Sequence, residues 1–389
     1  MDSKRPRLLV LASTFPRWEG DTEPRFVEAL SFELAEFFDV FVLVPHCKGA
    51  LQRETFTSKG RSLEVRRFRY APAMMEALAY EGGMLFRVRS NPLRLLLLPL
   101  FLASQALAAC LLQRMHRFDA VHAHWIVPQG FVAAALHVLM PRFPPLLVTS
   151  HGGDLYALRG PVFERLKRWV LARASAVTVV SHAMRDYCEK RGLSSGKIFV
   201  QSMGVDLDAV FTPGDRAVKR EGLVFVGRLV EKKGVAYLIE AVSLLSATYP
   251  RLNLNIIGDG PLRASLVELA RTHDVIDRVH FVGSVPNEEV PGYLRAASIA
   301  VMPSIVAASG DQEGLGLVAV EAMGCGCAVV ASDLPAIRDA VIDRRTGLMA
   351  RPADAADLAD KIAVLLEDDV LRSSLAASAR KHAIENFNW

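Results

Sequence analysis

Cysteine is scarce in this sequence. Cys47, Cys110, Cys188, Cys325 and Cys327 are spread over 389 positions without a Cys-x-x-Cys pair, which argues against a zinc ribbon or a stapled secreted framework and implies a reducing cytoplasm. Cys325 and Cys327 flank Gly326 with no further ligand types around them, so they read as packing residues and no metal site is expected. Excess charge of one sign is also missing. A formal net charge of +4 is too small to mark a nucleic-acid binder. The N-terminal MDSKRPRLLVLAS has too short an apolar run for a signal peptide. One long uncharged run stands out, LLLLPLFLASQALAACLL over residues 95–112. Its 18 residues sit at the lower limit for a membrane span, and Pro99, Ser104 and Gln105 interrupt it, so a buried or interfacial helix is the better reading.

What remains is ordinary globular material, 51% apolar and 23% charged, in a chain longer than one core usually supports. Two domains are expected. Short β-branched runs alternate with longer helical patterns throughout: RLLVLAST, VFVLVP, DAVHAHW, PLLVTSH, AVTVVS and KIFVQSM, then LVFVGRL, NLNIIGDG, VHFVGSV, SIAVMPS and CAVVAS. Such alternation predicts parallel sheets with helices on both faces. The rhythm pauses over 205–222, where Pro, Gly and charge replace periodicity, so a linker is expected there, dividing residues 1–210 from 211–389. The fold class is therefore α/β, two facing doubly wound domains, with ligand chemistry gathered at the strand ends.

The motifs fall at those ends. After the first strand, TFPRWEGDTEPRFVEAL places Gly20 where backbone approaches a ligand, and a helix start is expected at Asp21 or Thr22 ahead of Pro24. No GxGxxG occurs there, so the dinucleotide fingerprint is absent. DAVHAHWIVPQG ends a strand in His122, His124 and Trp125, a pair of histidines on one strand face with a structural or substrate-contacting role. LLVTSHGGD places His151 at a strand end, before two glycines, with Asp154 within reach. VFVGRLVEKKG supplies cations, Arg228 as a planar fork and Lys233 as a point charge, both suited to diphosphate oxygens. EGLGLVAVE separates Glu313 from Glu321 by seven residues. On a continuous helix that is about 12 Å of rise, suited to an extended ligand with hydroxyls at both ends and phosphate on the Gly314, Leu315 and Gly316 amides between.

The ordered set HGGD, GRLVEKKG, IGDGP and EGLGLVAVE resembles the retaining glycosyltransferases of family 4, with the GT-B architecture, over nearly the whole chain. TFPRWEGDTEPRFV and VHAHWIVPQG look like the N-terminal half of bacterial members that build envelope polysaccharides. The resemblance implies an acceptor-side N-terminal domain, a nucleotide-sugar-binding C-terminal domain and transfer from a UDP- or GDP-sugar without metal. It places Arg228 and Lys233 on the diphosphate, Glu321 on the ribose, Glu313 on the donor sugar and Gly283 at the base. His151 would touch the sugar near the reacting carbon, Asp154 would support its loop, Gly20 would sit near the diphosphate, and His124 and Trp125 would lie on the acceptor side. The chain departs from the pattern in two places. RWEGDTEP stands where some members carry two adjacent glycines, and the sequence stops at ENFNW, where relatives begin a final crossover helix.

Residues 59–94 carry Lys59, Arg61, Arg66, Arg67, Arg69, Arg87, Arg89 and Arg94 against Glu64, Glu76 and Glu81. With the apolar run that follows, this predicts an anionic membrane surface as a partner and a lipid-linked or oligosaccharide acceptor, at the inner face of the cell membrane. Two other functions fit the same architecture: a non-hydrolysing nucleotide-sugar epimerase and an inactive donor-binding subunit.

Overall fold

The computed structural model describes residues 5–193, 197–215 and 219–389. The chain divides into two compact units, Met1–Val180 with Met184–Gln201, and Ser181–Ala183 with Ser202–Trp389.

The first unit holds β1 (Arg7–Leu11), β2 (Asp39–Pro45), β3 (Arg53–Ser58), β4 (Arg61–Phe68), β5 (Ala120–His124), β6 (Leu146–Ser150), β7 (Ala176–Val179) and β8 (Ile198–Val200). They form an eight-stranded sheet in the order β3-β4-β2-β1-β5-β6-β7-β8. All neighbours are parallel except β3 and β4. Leu9, Val10, Val42, Val44, Val121 and Val148 are fully buried in the middle strands. A parallel strand covered on both faces needs such a continuous apolar run, and each buried Val or Leu contributes about 1.5–3 kcal/mol.

The second unit holds β9 (Leu223–Val226), β10 (Leu254–Ile257), β11 (Val279–Gly283), β12 (Ile299–Met302), β13 (Ala328–Ser332) and β14 (Leu348–Ala350). These form a parallel sheet in the order β11-β10-β9-β12-β13-β14. Strand order reverses between β9 and β12 here, and between β1 and β5 in the first unit. In doubly wound sheets ligands bind outside the carboxyl ends of the strands at that reversal.

Every strand read from the sequence forms, and three more appear. β3 and β4 make a hairpin whose two turn residues, Lys59 and Gly60, both have positive φ, the geometry of a tight hairpin turn. Their charged alternate positions hide the pattern. β14 is only three residues long. The stretch 205–222 differs from a free linker: Val205 donates to Phe387 O at 2.8 Å, and Val205 and Leu207 are buried in the second unit. Residues 216–218 lie outside the described residues.

The apolar run forms one continuous helical stretch, Pro92–His116, of which only a minority is buried. Phe101, Gln105, Ala109 and Leu112 face the sheet, while Leu96, Leu100, Leu107, Leu111 and Met115 are exposed. Most of the basic residues before it are already paired. Arg61 bonds Glu33 and Glu36, Arg66 bonds Glu64, the buried Arg67 bonds Glu54, Arg69 bonds Glu76 and Arg87 bonds Glu81. The basic excess that the sequence suggests is thus mostly spent inside the unit.

Candidate functional site

In the second unit β9 ends at Val226, and Gly227, Arg228 and a short turn Glu231–Lys233 lead to the helix Val235–Leu245. Gly234 makes this turn possible. Its φ is +63°, and a Cβ there would lie 1.8 Å from Pro303 O, just past β12. The turn and the loop after β12 are joined by several bonds: Ile305 N donates to Lys232 O at 2.8 Å, and Ala308 N to Glu231 Oε1 at 2.8 Å. Gly258 explains one glycine of IGDGP in the same way, since a Cβ at that position would meet Gly227 O at 2.1 Å.

Two consecutive lysines face two acids of that loop. Lys232 Nζ stands 3.2 Å from Asp311 Oδ1, and Lys233 Nζ stands 3.0 Å from Glu313 Oε1. The second contact is a close ion pair between two largely buried groups. Burial pushes the Glu313 carboxyl up, but the charges of Lys233 and Lys232 outweigh it and hold the group below the usual carboxylate range. Glu321 is different. Burial raises its pKa to about 7, with only a partial opposing effect from Lys233.

The helix of this motif is Leu317–Gly324, so Glu313 lies in the preceding loop and Glu321 is just over one turn in. The 12 Å expected from a continuous helix therefore does not apply. Gly316, left-handed at φ +82°, turns the chain into the helix. Among the described residues no acceptor engages the N–H groups of Gly314, Leu315 or Gly316. A row of unpaired amides at a helix start is an anion site in waiting. Gly283 closes β11 at φ +90° and accepts from Gly258 N at 2.7 Å. Arg228 lies at the end of β9, half-buried.

In the first unit β5 and β6 bring three histidines together. His151 follows β6, His124 ends β5, and His124 Nδ1 lies 2.9 Å from His151 Nε2. His122 Nε2 bonds Thr149 Oγ1 at 2.7 Å. Burial lowers all three, His122 to about 4, His151 to about 3 with help from His122, and His124 well below its ordinary value. The rings are neutral at physiological pH. Phe26 and Trp125 pack on His151, with centroids 4.8 and 5.2 Å away. His124 is fully enclosed. It offers no surface to an acceptor, whereas Trp125 is half-exposed.

Asp154 does not bond His151. Its carboxylate accepts from Ile126 N at 2.6 Å and from Ser150 Oγ at 2.8 Å, which ties the segment after β5 to the turn after β6. Burial raises its pKa against these donors. Gly20 is exposed at φ +74°, in open space. The helix begins at Phe26 rather than near Asp21. Asp21 instead turns inward and takes a bidentate pair from Arg17, at 2.9 Å from Nε and 2.7 Å from Nη2. Arg17 and Lys232 are the partners that sequence reasoning missed. A recess lined by Asp333, Arg338, Asp343, Arg351, Asp357 and Lys361 contains none of the motif residues.

Each sheet carries its motif residues at the carboxyl ends of the strands, where doubly wound folds bind their ligands. The chain belongs to glycosyltransferase family 4: residues 24–209 match Glycosyltransferase Family 4 and residues 211–382 match Glycosyl transferases group 1. It is 31% identical over 284 residues to a glycogen synthase of Mycobacterium tuberculosis, covering 71% of this chain and 67% of the relative. It is 28% identical over 397 residues to the GDP-mannose-dependent alpha-(1-6)-phosphatidylinositol monomannoside mannosyltransferase of Mycolicibacterium smegmatis, covering 98% and 95%. Among solved structures, sucrose-phosphate synthase from Thermosynechococcus elongatus superposes with TM-score 0.78 at 23% identity, covering 99% of this chain and 96% of that one. The Anabaena protein HepE in complex with UDP gives TM-score 0.68 at 19% identity, covering 98% and 96%. The fold is GT-B, and the protein is a glycosyltransferase rather than an epimerase.

Proposed function

We propose that this enzyme transfers a sugar from a nucleotide-sugar to an envelope glycan acceptor with retention of configuration and without a metal ion. The observation that carries the reading is the pairing of Lys233 with Glu313 beside the unpaired amides of Gly314, Leu315 and Gly316. Arg228 and Lys233 take up the charge that develops on the departing diphosphate, the task a metal performs elsewhere. The amides hold phosphate oxygens, Glu321 accepts from the ribose hydroxyls, Gly283 lies by the base, and Glu313 binds the donor sugar. His151, half-buried and neutral, contacts the sugar near the reacting carbon, while Asp154 holds its loop and Gly20 supports the diphosphate. Trp125 serves the acceptor side. The bond from the anomeric carbon to the diphosphate breaks, its electron pair leaving with the diphosphate, while the acceptor hydroxyl oxygen forms the new bond to that carbon and its proton passes to the departing diphosphate oxygen.

The acceptor is lipid-linked or a growing glycan, met at the inner face of the membrane. The exposed stripe of Leu96, Leu100, Leu107, Leu111 and Met115 supports this more than the paired arginines do. The donor is a UDP- or GDP-sugar, in keeping with the donor named for the mannosyltransferase relative and the UDP held by HepE.

Donor turnover followed by proton NMR in EDTA tests the reaction type. An initial product sugar with the donor's anomeric configuration agrees with the proposal. An inverted product, or turnover that stops with EDTA and returns with a divalent cation, overturns it.

A further inference from the structure

His124 lies beneath His151, enclosed by protein, and so contacts no substrate. The two rings lie only 13° from parallel, with centroids 5.2 Å apart and nitrogens 2.9 Å apart. So long a centroid distance with so short a nitrogen contact sets the rings edge to edge in nearly one plane. That is the arrangement in which an in-plane N–H of one imidazole meets the in-plane lone pair of the other.

A neutral imidazole has one donor and one acceptor nitrogen, so a single proton occupies the link and its owner sets both tautomers. The far side of His124 decides the matter. His124 Nε2 is buried and without a partner, and no hydrogen bond joins it to His122, whose ring is 4.2 Å away. Were His151 the donor in the link, His124 would carry its proton on that enclosed Nε2, leaving a buried N–H unpaired. Buried orphan donors are rarer than under-used acceptors.

We propose that His124 is a positioning residue: it donates Nδ1–H to His151 Nε2 and thereby fixes the His151 proton on Nδ1. No group within the chain bonds that nitrogen among the described residues. His151 then presents an N–H to its ligand, acting as a hydrogen-bond donor and not as a base. The kinetic consequence rests on the proposed role of His151 in transfer, while the tautomer does not.

The test uses the full chain labelled with nitrogen-15 at histidine and long-range proton–nitrogen correlation spectra, with His151 assigned by its disappearance in His151→Gln. The expected wild-type spectrum shows His151 protonated on Nδ1 and bare on Nε2. His124→Phe should convert this to a mixture of tautomers, and His124→Asn, whose amide N–H can occupy the Nδ1 position, should restore it. In parallel, His124→Phe should lower kcat about tenfold, equivalent to about 1.4 kcal/mol, with donor KM within about twofold, and His124→Asn should recover most of the loss. A wild-type His151 protonated on Nε2, or a spectrum unchanged in His124→Phe, overturns the proposal. If His124→Phe fails to fold, the wild-type spectrum alone decides. A correct tautomer with no kinetic effect would leave the positioning intact and count against the catalytic role of His151.

Discussion

The ammonium of Lys233 stands 3.0 Å from the carboxylate of Glu313, so the residue expected to meet diphosphate is already neutralised by the residue expected to meet sugar. The two roles are coupled through this pair. Glu313→Gln should lower kcat by about a hundredfold or more, as loss of a transition-state contact does. Nucleotide affinity should hold or tighten, because Lys233 is released. Lys233→Met should do the reverse, weakening nucleotide binding, and should cost about 1–3 kcal/mol of stability. This lies below the cost of about 3–5 kcal/mol for breaking a fully buried pair because both groups retain some exposure. Isothermal titration with kinetics on both variants separates these outcomes, and equal loss of binding in both would contradict the coupling.

Glu321 should govern the pH dependence of donor binding. A carboxylate holding two ribose hydroxyls must be ionised, and burial raises this group to about 7. Affinity for nucleoside diphosphate should therefore rise with pH by up to about tenfold per unit below 7 and level off above it. For stability the sign is opposite. The folded state binds the proton more tightly than the unfolded state does, so the Glu321 contribution declines as pH rises from about 4.5 to about 7. In Glu321→Gln the pH dependence of affinity should vanish. A wild-type affinity that is flat from pH 6 to 8 would remove Glu321 from the ribose.

Gly234→Ala places a Cβ 1.8 Å from Pro303 O at a left-handed position, so the turn after β9 must move away from the loop after β12. The expected loss is about 2 kcal/mol or more, a Tm drop of about 4 °C or more for a unit of this size. Donor binding should fall with it. A variant with wild-type Tm would show that the turn tolerates the side chain by shifting.

Much of this was legible in the sequence, and the omissions have physical causes. Strands such as RLLVLAST and SIAVMPS are buried on both faces, so their apolar runs announce them, and the glycines of GRLVEKKG and IGDGP mark turns that only glycine fits. The β3–β4 hairpin is hidden because its arginines pair across space, Arg67 with Glu54 on β3 and Arg61 with Glu33 on the helix Phe26–Leu34, and the same pairing makes residues 59–94 look more basic than they are. The helix after Gly20 starts at Phe26, later than its sequence suggests, because Asp21, a good capping residue by type, is taken by Arg17. His124 resembled a surface ligand by its position at a strand end. Only the packing of Trp125 and His151 shows it enclosed.

The exposed leucine stripe of Pro92–His116 carries the membrane reading. Replacing Leu100, Leu107 and Leu111 by glutamine should abolish flotation with vesicles containing anionic lipid while leaving nucleotide binding unchanged. Flotation that persists in this variant, or a wild-type chain that never floats, would sink that reading. Either result would leave the transferase chemistry standing.

The most direct measurement is thermal unfolding of the chain with UDP, GDP, ADP and their sugar conjugates, with and without EDTA. A nucleotide at 100 times its dissociation constant should add about 2.7 kcal/mol. The account predicts a raised midpoint with one nucleotide class, undiminished by EDTA and lost in a combined Arg228→Ala and Lys233→Ala variant. A shift that requires a divalent cation, or one that survives in the double variant, would contradict it.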